Sequence, residues 1–307
     1  MKQKKHRMKL SWGEKVFNIA NFTFLTAIFI ITLYPLLYVV SASFSDPNAV
    51  ASGDMILWPI EPSVDGYKFV FKYKEIWTGY ANTIFYTVVG TILNLLVTLP
   101  AAYALARKDM AGRNFIMTLF IITMYFGGGL IPAYLNMNAF GLVNTRGVLL
   151  VNGLVSTYNL IVARTFCANS IPWELQEAAY LDGASTFKLF VKVVVPLSAP
   201  IIVVLTLYYG IAHWNEYFSA LVYIRDRQLY PLQIILKEIL TQSQLSSQAL
   251  SEGSFSPAEI AEMERMGEVA DRMKYCVIVL SAAPMLAIYP WLQKYFAKGV
   301  MVGSVKG

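Results

Sequence analysis

The sequence has few charged residues and few residues of the kinds that bind metals. Only 14% of its 307 residues are charged, whereas soluble domains carry about 25%. It holds two histidines and two cysteines, and no cluster with metal-ligand spacing is present in the sequence. The composition therefore argues against a soluble domain, and no metal site is expected.

Two functional motifs are also missing. The sequence has no G-x-x-x-x-G-K-[ST] phosphate loop, so the chain is not expected to hydrolyse ATP itself or to bind a cofactor of its own. Its basic residues are not interleaved with aromatic residues as in a nucleic-acid surface. We therefore expect neither an ATPase nor a partner of nucleic acid.

Long apolar runs dominate what is present. Hydrophobic residues make up 56% of the chain and the mean hydropathy is +0.51. Runs of about 20 apolar residues are typical of transmembrane helices. The first run is too long for a signal-peptide core and lacks a clean cleavage site. The sequence predicts an all-α polytopic membrane protein with six spans, at about 17–44, 82–106, 114–136, 147–166, 198–224 and 275–296.

The charges between these spans are unevenly distributed. The termini and the inner loops hold fifteen basic and five acidic residues, and the rest of the chain holds ten basic and fourteen acidic ones. Because Lys and Arg accumulate on the cytoplasmic side, both termini are expected there, in the cell membrane. This predicts a cytoplasmic segment 1–16, a membrane domain 17–296 and a cytoplasmic tail 297–307. Cys167 and Cys276 then lie on opposite faces, unpaired.

Two loops divide this topology. Residues 170–197 form an inner loop that reads as two short helices, with Asn169 or Ser170 as the first cap and Ser185 as the second. Gly183 is expected to turn the chain between them in a left-handed conformation. The second helix is expected to be closed by two prolines, Pro196 and Pro200.

Residues 225–273 form the long outer loop. Within it, Ser256 and Pro257 are expected to start a solvated helix. The stretch from Gln242 to Gly253 reads as an irregular connection rich in Ser and Gln.

The inner loop carries a specific motif. Glu177-Ala178-Ala179 is followed after three residues by Gly183, and after nine more residues by Val193, Val195 and Pro196. This spacing resembles the EAA loop of binding-protein-dependent ABC importers, a family that usually has Ile and Leu in place of Val193 and Val195. The alternative is an ordinary amphipathic hairpin. The resemblance implies a cytoplasmic coupling helix that docks on an ATPase subunit through Glu177, Ala178, Ala179, Asp182, Gly183, Ala184 and Pro196.

The similarity extends along most of residues 80–307. Residues 99–113, 127–145 and 213–223 resemble the sugar-uptake branch of these importers, and 295–307 resembles the tail of the maltose-type second permease subunit. The glycine triplet (Gly127, Gly128 and Gly129) and the long outer loop resemble those of the subfamily that imports complex oligosaccharides. The tail is then expected to reach the ATPases with Gly299, Gly303, Val305, Lys306 and Gly307.

The resemblance implies a type I permease fold that works by alternating access. The implied partners are a second permease, two ATPase subunits that bind ATP and Mg, an extracytoplasmic solute-binding protein, an oligosaccharide and membrane lipid. An ion-driven secondary transporter would need intramembrane acids and repeated halves. An integral-membrane enzyme would need titratable groups in the spans, where chiefly Glu216 is available.

Several polar, aromatic and glycine residues of the spans are candidates for the substrate path. The glycines could instead allow close helix packing, most of the aromatic residues could be core, and Glu216 could simply face water. Sugars are bound by aromatic faces together with hydrogen-bonding groups, which favours a path role for some of them. The candidates are Tyr125, Gly127, Gly128, Gly129, Asn159, Tyr209, Trp214, Asn215 and Glu216, with Tyr158 and Tyr208 nearby.

Overall fold

The computed structural model describes residues 11–252 and 257–299, and only some side chains of its last two helices. The described residues are helical, with no strand among them. The all-α prediction is therefore confirmed for this part of the chain. The helices are α1 Trp12–Ala42, α2 Pro47–Ala51, α3 Asp65–Lys72, α4 Lys74–Ala106, α5 Arg113–Tyr125, α6 Leu130–Ala139, α7 Arg146–Val151, α8 Thr157–Ser170, α9 Trp173–Leu181, α10 Thr186–Leu189, α11 Val195–Leu197, α12 Ala199–Trp214, α13 Phe218–Tyr223, α14 Leu232–Glu252 and α15 Pro257–Gly299.

The chain divides into two compact units. The first comprises Met1–Val70 and Leu240–Val279. Its helix α1 begins with a capping box, in which Ser11 and Glu14 satisfy each other's backbone N–H groups. None of the most apolar stretch of α1 is buried. A helix of 31 residues is about 46 Å long, long enough to cross a bilayer.

The second unit comprises Phe71–Ile239 and Leu280–Gly307. Its centre is α4, which packs against α8 and α12. A core cluster of buried apolar side chains from these helices holds them together, including Ala102, Leu105, Leu160, Ala163, Ile201 and Leu205. Helix α4 also buries a row of polar side chains, including Asn82, Thr83, Asn94 and Thr98. It ends at Ala106, immediately before Arg107, as the sequence predicts.

Two helices, α1 and α4, are long and apolar enough to cross a membrane. Two bent pairs meet the same test together: α5 with α6, bent by 118°, and residues 186–197 with α12, bent by 79°. The described chain therefore offers two to four candidate spans. Six spans remain a prediction.

Two predicted spans are interrupted by glycine. The run 114–136 breaks between α5 and α6, where Gly129 has φ +88° and ψ 170°, a conformation open essentially to glycine alone. A Cβ at Gly127 or Gly129 would meet no atom within 4 Å, so neither glycine lies in a close helix contact within the described part of the chain. The run 147–166 was predicted as one helix, which is also wrong. Gly153 has φ +75° and separates α7 from α8.

Three further predictions are corrected towards the C-terminus. The fifth run, 198–224, is not continuous, because α12 ends at Trp214 and α13 starts at Phe218. Residues 242–252 are helical within α14, because the amphipathic pattern of Leu232–Glu252 outweighs the Ser and Gln content. The sixth run is part of the 43-residue helix α15, which starts at Pro257 as predicted. Gly253 and Ser256 lie outside the described residues.

Candidate functional site

The predicted inner loop folds as two short helices that meet at a glycine. Gly183 has φ +72°, and its N–H donates to the Tyr180 carbonyl while the N–H of Ala184 donates to that of Ala179. This pair of bonds is the Schellman motif, which satisfies the last carbonyls of α9. Ser185 then caps α10 by accepting from the N–H of Lys188 at 3.3 Å. The predicted corner is therefore present.

The predicted ends of this segment differ from the structure. Asn169 and Ser170 do not cap α9, because α8 continues through Ser170 and Pro172 takes the cap position. Pro196 does not end the second helix. After α10 the chain makes a π-helical turn over Phe190–Val194, and Pro196 then falls within the first turn of α11, where a missing N–H is tolerated.

Helix α9 has two unlike faces. Trp173, Gln176 and Ala179 face the protein and are buried or half-buried. On the other side, Leu181 is 88% exposed, and Phe187, at the start of α10, is 77% exposed. The sequence analysis missed these two residues. They could have been found as two large apolar side chains, one on each side of Gly183, that do not share the helix face of Trp173, Gln176 and Ala179.

Most predicted coupling residues lie on the exposed surface of this corner. Glu177, Ala178, Asp182 and Gly183 are exposed, and Ala184 is half-buried. Glu177 accepts a hydrogen bond from the indole Nε1 of Trp173 at 2.8 Å, so its carboxylate has a fixed orientation. Of the five predicted tail residues, only Gly299 is described, as the last residue of α15. Gly303, Val305, Lys306 and Gly307 lie outside the described residues.

The side of α9 that faces the protein contacts Arg107. The guanidinium Nη1 donates to the Tyr180 hydroxyl at 2.7 Å, and Nε and Nη2 hold the Asp109 carboxylate. This hydrogen bonding raises the pKa of Arg107 and lowers that of Asp109. The lowered pKa of Asp109 stabilises the folded chain at pH values above the ordinary carboxyl pKa near 4. This stabilisation is lost as the pH falls below that value. The pair is therefore charged at neutral pH.

A cavity of about 460 Å³ lies within the second unit. Three of the predicted substrate-path residues line it: Asn159, Tyr209 and Glu216. Tyr158 and Tyr208 also line it, with ring centroids 6.2 Å apart. The sequence analysis missed its other polar residues, Asn152, Ser156 and His213. The wall thus combines aromatic faces with hydrogen-bonding groups.

His213 shapes one side of this cavity. Its Nε2 lies 2.7 Å from the Oδ1 of Asn94 on α4, and Asn94 Nδ2 donates to the Leu154 carbonyl at 2.8 Å. Gly90 gives the imidazole room, since a Cβ there would lie 2.6 Å from the ring Cε1. The ring therefore fixes α12 against α4 next to the cavity.

The remaining candidates lie elsewhere. Trp214 is buried and donates from Nε1 to the Ser281 carbonyl at 3.0 Å, a structural role. Asn215 ends α12 by donating to the Ile211 carbonyl at 3.0 Å. Neither is among the cavity residues, nor are Tyr125 and the glycine triplet. Within the described residues, no three His, Cys, Asp or Glu side chains are grouped to hold a metal.

Cys167 and Cys276 are both buried and unpaired. Cys167 belongs to an apolar cluster with Tyr103, Ile171 and Leu189. It packs there as a small hydrophobic side chain.

The chain is similar to membrane components of transport systems. It is 36% identical to Protein LplC of Bacillus subtilis over 302 residues, covering 98% of this chain and 99% of that protein. It is 35% identical over 294 residues to the polygalacturonan/rhamnogalacturonan transport system permease protein YtcP of the same organism, covering 95% and 99%.

A solved structure and a family model agree with these relatives. A chain from the crystal structure of a bacterial ABC transporter that imports the acidic polysaccharide alginate matches with TM-score 0.81 and 33% identity, over 94% of this chain and 99% of that one. Residues 76–302 match the family described as binding-protein-dependent transport system inner membrane component. The chain therefore belongs to the family of inner membrane components of binding-protein-dependent transport systems.

Proposed function

We propose that the chain is one of two permease subunits of an ATP-driven importer of oligosaccharides or fragments of complex polysaccharides. It would cross the membrane six times in the type I permease fold, with both termini in the cytoplasm. The other components would be a second permease, two ATPase subunits that bind ATP and Mg, and an extracytoplasmic solute-binding protein. This chain would contribute no catalytic residue.

The corner between α9 and α10 is the observation that best supports this proposal. It presents Leu181 and Phe187, two large exposed side chains, on either side of a glycine turn. Exposed apolar side chains grouped on a surface are typical of protein contacts. We assign this corner the role of the coupling helix, whose docking groove would be on the ATPase.

The substrate class rests on the cavity and on the relatives. The cavity offers Tyr158 and Tyr208 as aromatic faces and Asn159 as a hydrogen-bonding group. Relatives are described as permeases for polygalacturonan/rhamnogalacturonan and for arabinooligosaccharides, and the solved transporter imports alginate. An oligosaccharide substrate agrees with the residues that line the cavity and with the relatives. The cavity would form part of its path under alternating access.

Substitutions at the corner test the coupling role. Gly183→Asp forces a side chain into a left-handed backbone, at a cost of about 1–2 kcal/mol, and Glu177→Lys reverses an exposed charge. Both variants should insert in the membrane but should assemble poorly with the ATPase or hydrolyse ATP without uptake. The assay is oligosaccharide uptake beside ATP hydrolysis by the whole complex in vesicles. The probe is the sugar that the cognate binding protein retains from a panel of oligogalacturonides, alginate oligosaccharides and arabino-oligosaccharides.

Ser247→Asp, in α14, is the control and should behave as the unmutated chain does. If both corner variants assemble and transport at the unmutated rate, the segment is only a connecting loop. Purified alone, the chain should hydrolyse no ATP. Turnover by the isolated subunit would contradict the assignment as a non-catalytic component.

A further inference from the structure

Arg107 joins the end of α4 to both ends of α9. Its Nη1 donates to the Tyr180 hydroxyl at 2.7 Å. Its guanidinium carbon lies 5.7 Å from the Tyr180 ring centroid and 6.0 Å from that of Trp173. Trp173 and Tyr180 are seven residues apart, which is two helical turns on one face. One side chain therefore contacts the inner face of α9 along nearly its whole length.

The guanidinium is itself held in one orientation. Its Nε and Nη2 form a fork on the Asp109 carboxylate, and only 15% of the Arg107 side chain is exposed. The Arg107 carbonyl accepts from Arg113 Nη1 at 2.9 Å. A planar guanidinium with its fork already occupied loses little conformational freedom in making further bonds. Arg107 is thus preorganised to transmit a displacement between α9 and α4.

Tyr103 adds a second contact one turn earlier on α4. Its hydroxyl donates to Gln176 Oε1 at 3.0 Å, and both groups are buried. Gln176 lies on α9 between Trp173 and Tyr180, on the same face. The Tyr103 ring also lies 5.8 Å from the Arg107 guanidinium carbon. The last turn of α4 therefore holds the middle and both ends of α9.

The same helix reaches the cavity. Thr98 Oγ1 lies 2.7 Å from the hydroxyl of Tyr209, a cavity residue. Thr98 and Arg107, the residue that follows α4, are nine positions apart, about 14 Å at 1.5 Å per residue, and Pro100 lies between them. A displacement of α9 that Arg107 passes to the end of α4 would therefore reach the cavity wall through the last turns of the same helix.

We propose that Arg107 is the positioning residue that couples α9 to the cavity wall, so that movement of the docked ATPase opens and closes the substrate path. This inference rests on the proposed function of the α9–α10 corner. It assigns Arg107 a role in transmission, distinct from the exposed docking residues. Arg107 contacts neither the sugar nor the ATPase in this scheme.

Variants of Arg107 in the reconstituted complex test the proposal. Arg107→Met removes the charge and the fork but keeps an unbranched side chain, and Arg107→Lys keeps the charge alone. For Arg107→Met, uptake of the panel oligosaccharide per ATP hydrolysed should fall about tenfold, towards the lower end of the range for coupled sites. Arg107→Lys should fall between Arg107→Met and the unmutated chain. The matched control is Lys108→Met, which removes the neighbouring exposed charge and should leave the ratio unchanged.

Two further measurements separate transmission from simple stability. Tyr180→Phe removes the acceptor of the Arg107 bond, so the double variant Arg107→Met/Tyr180→Phe should be no worse than Arg107→Met alone, because the two residues act as one unit. Amide hydrogen exchange of residues 173–181 should also be faster in Arg107→Met, in the purified complex before ATP is added.

Each result supports or overturns the proposal. An unchanged ratio of uptake to hydrolysis in Arg107→Met overturns it, even if both rates fall together, because that outcome assigns Arg107 to folding alone. Additive losses in the double variant, or unchanged exchange over 173–181, would do the same. If the unmutated complex shows no ATP-dependent uptake, the proposed function fails instead, and the exchange result still reports whether Arg107 holds α9.

Discussion

At the scale of single residues, the structure separates side chains that fix the fold from side chains that are available to bind. Trp214 and Asn215 are polar candidates by sequence, yet both use their hydrogen-bonding groups within the fold. His213, missed by the sequence analysis, lines the cavity and bonds to Asn94. A residue's type predicts that a buried polar group must find a partner. It does not predict which partner.

Gly90 gives a test at this scale. A Cβ there would lie 2.6 Å from His213 Cε1, so Gly90→Ala should displace the ring and weaken its bond to Asn94. Overpacking of this kind costs about 1–3 kcal/mol. The thermal unfolding midpoint in detergent should therefore fall.

Gly210→Ala is the matched control for that variant. Gly210 is in α12, and the side-chain atom nearest to an added Cβ there is Thr91 Oγ1, at the ordinary distance of 3.8 Å. Alanine is the better helix former, so the midpoint should stay or rise slightly. Equal midpoints for Gly90→Ala and the unmutated chain would show that the ring is not confined.

At the scale of elements, polar side chains of α4 hold a segment that the sequence analysis treated as loop. Asn82 Nδ2 donates to the carbonyls of Gln228 and Tyr230 at 2.7 and 3.1 Å. Thr83 Oγ1 accepts from the N–H of Leu232 at 2.8 Å, at the start of α14. The stretch 225–232 is therefore attached to α4 through specific bonds. Its polar composition alone predicted exposure to solvent and nothing more.

Removing Asn82 tests this attachment. Asn82→Ala removes the side-chain donor from two partly buried carbonyls, and a carbonyl left unsatisfied costs at most about 1–3 kcal/mol, the value for a fully buried group. Amide hydrogen exchange and proteolysis of residues 225–232 should increase. Thr78→Ala is the control, because Thr78 Oγ1 donates only to Lys74 in its own helix. Unchanged protection of 225–232 in Asn82→Ala would contradict the attachment.

At the scale of the whole molecule, the apolar surface of α1 needs lipid or another subunit to cover it. Most of its large apolar side chains are exposed, and Phe22 and Ile31 are more than 70% exposed. A helix of this length and composition is typical of a membrane span. The uneven distribution of Lys and Arg predicts how the whole chain is oriented.

Cysteine labelling in intact cells tests that orientation. In a background of Cys167→Ala and Cys276→Ala, an impermeant thiol reagent should modify Ser247→Cys, in the predicted outer loop. It should not modify Ser185→Cys in the predicted inner loop until the membrane is permeabilised. The reverse pattern would overturn the topology, and with it the placement of the α9–α10 corner beside an ATPase.

The sequence by itself determined the features that depend on local chemistry. Apolar runs specified a helical membrane chain, Gly183 specified the turn after α9, and the spacing from Glu177 to Pro196 indicated the family. Only the tertiary structure decided that Arg107 meets Tyr180, 73 residues away, and that Asn159 and Glu216 line one cavity. The backbone conformation at a glycine depends mainly on the residues next to it in the sequence. Contacts between distant residues depend on how whole helices pack, which no local pattern encodes.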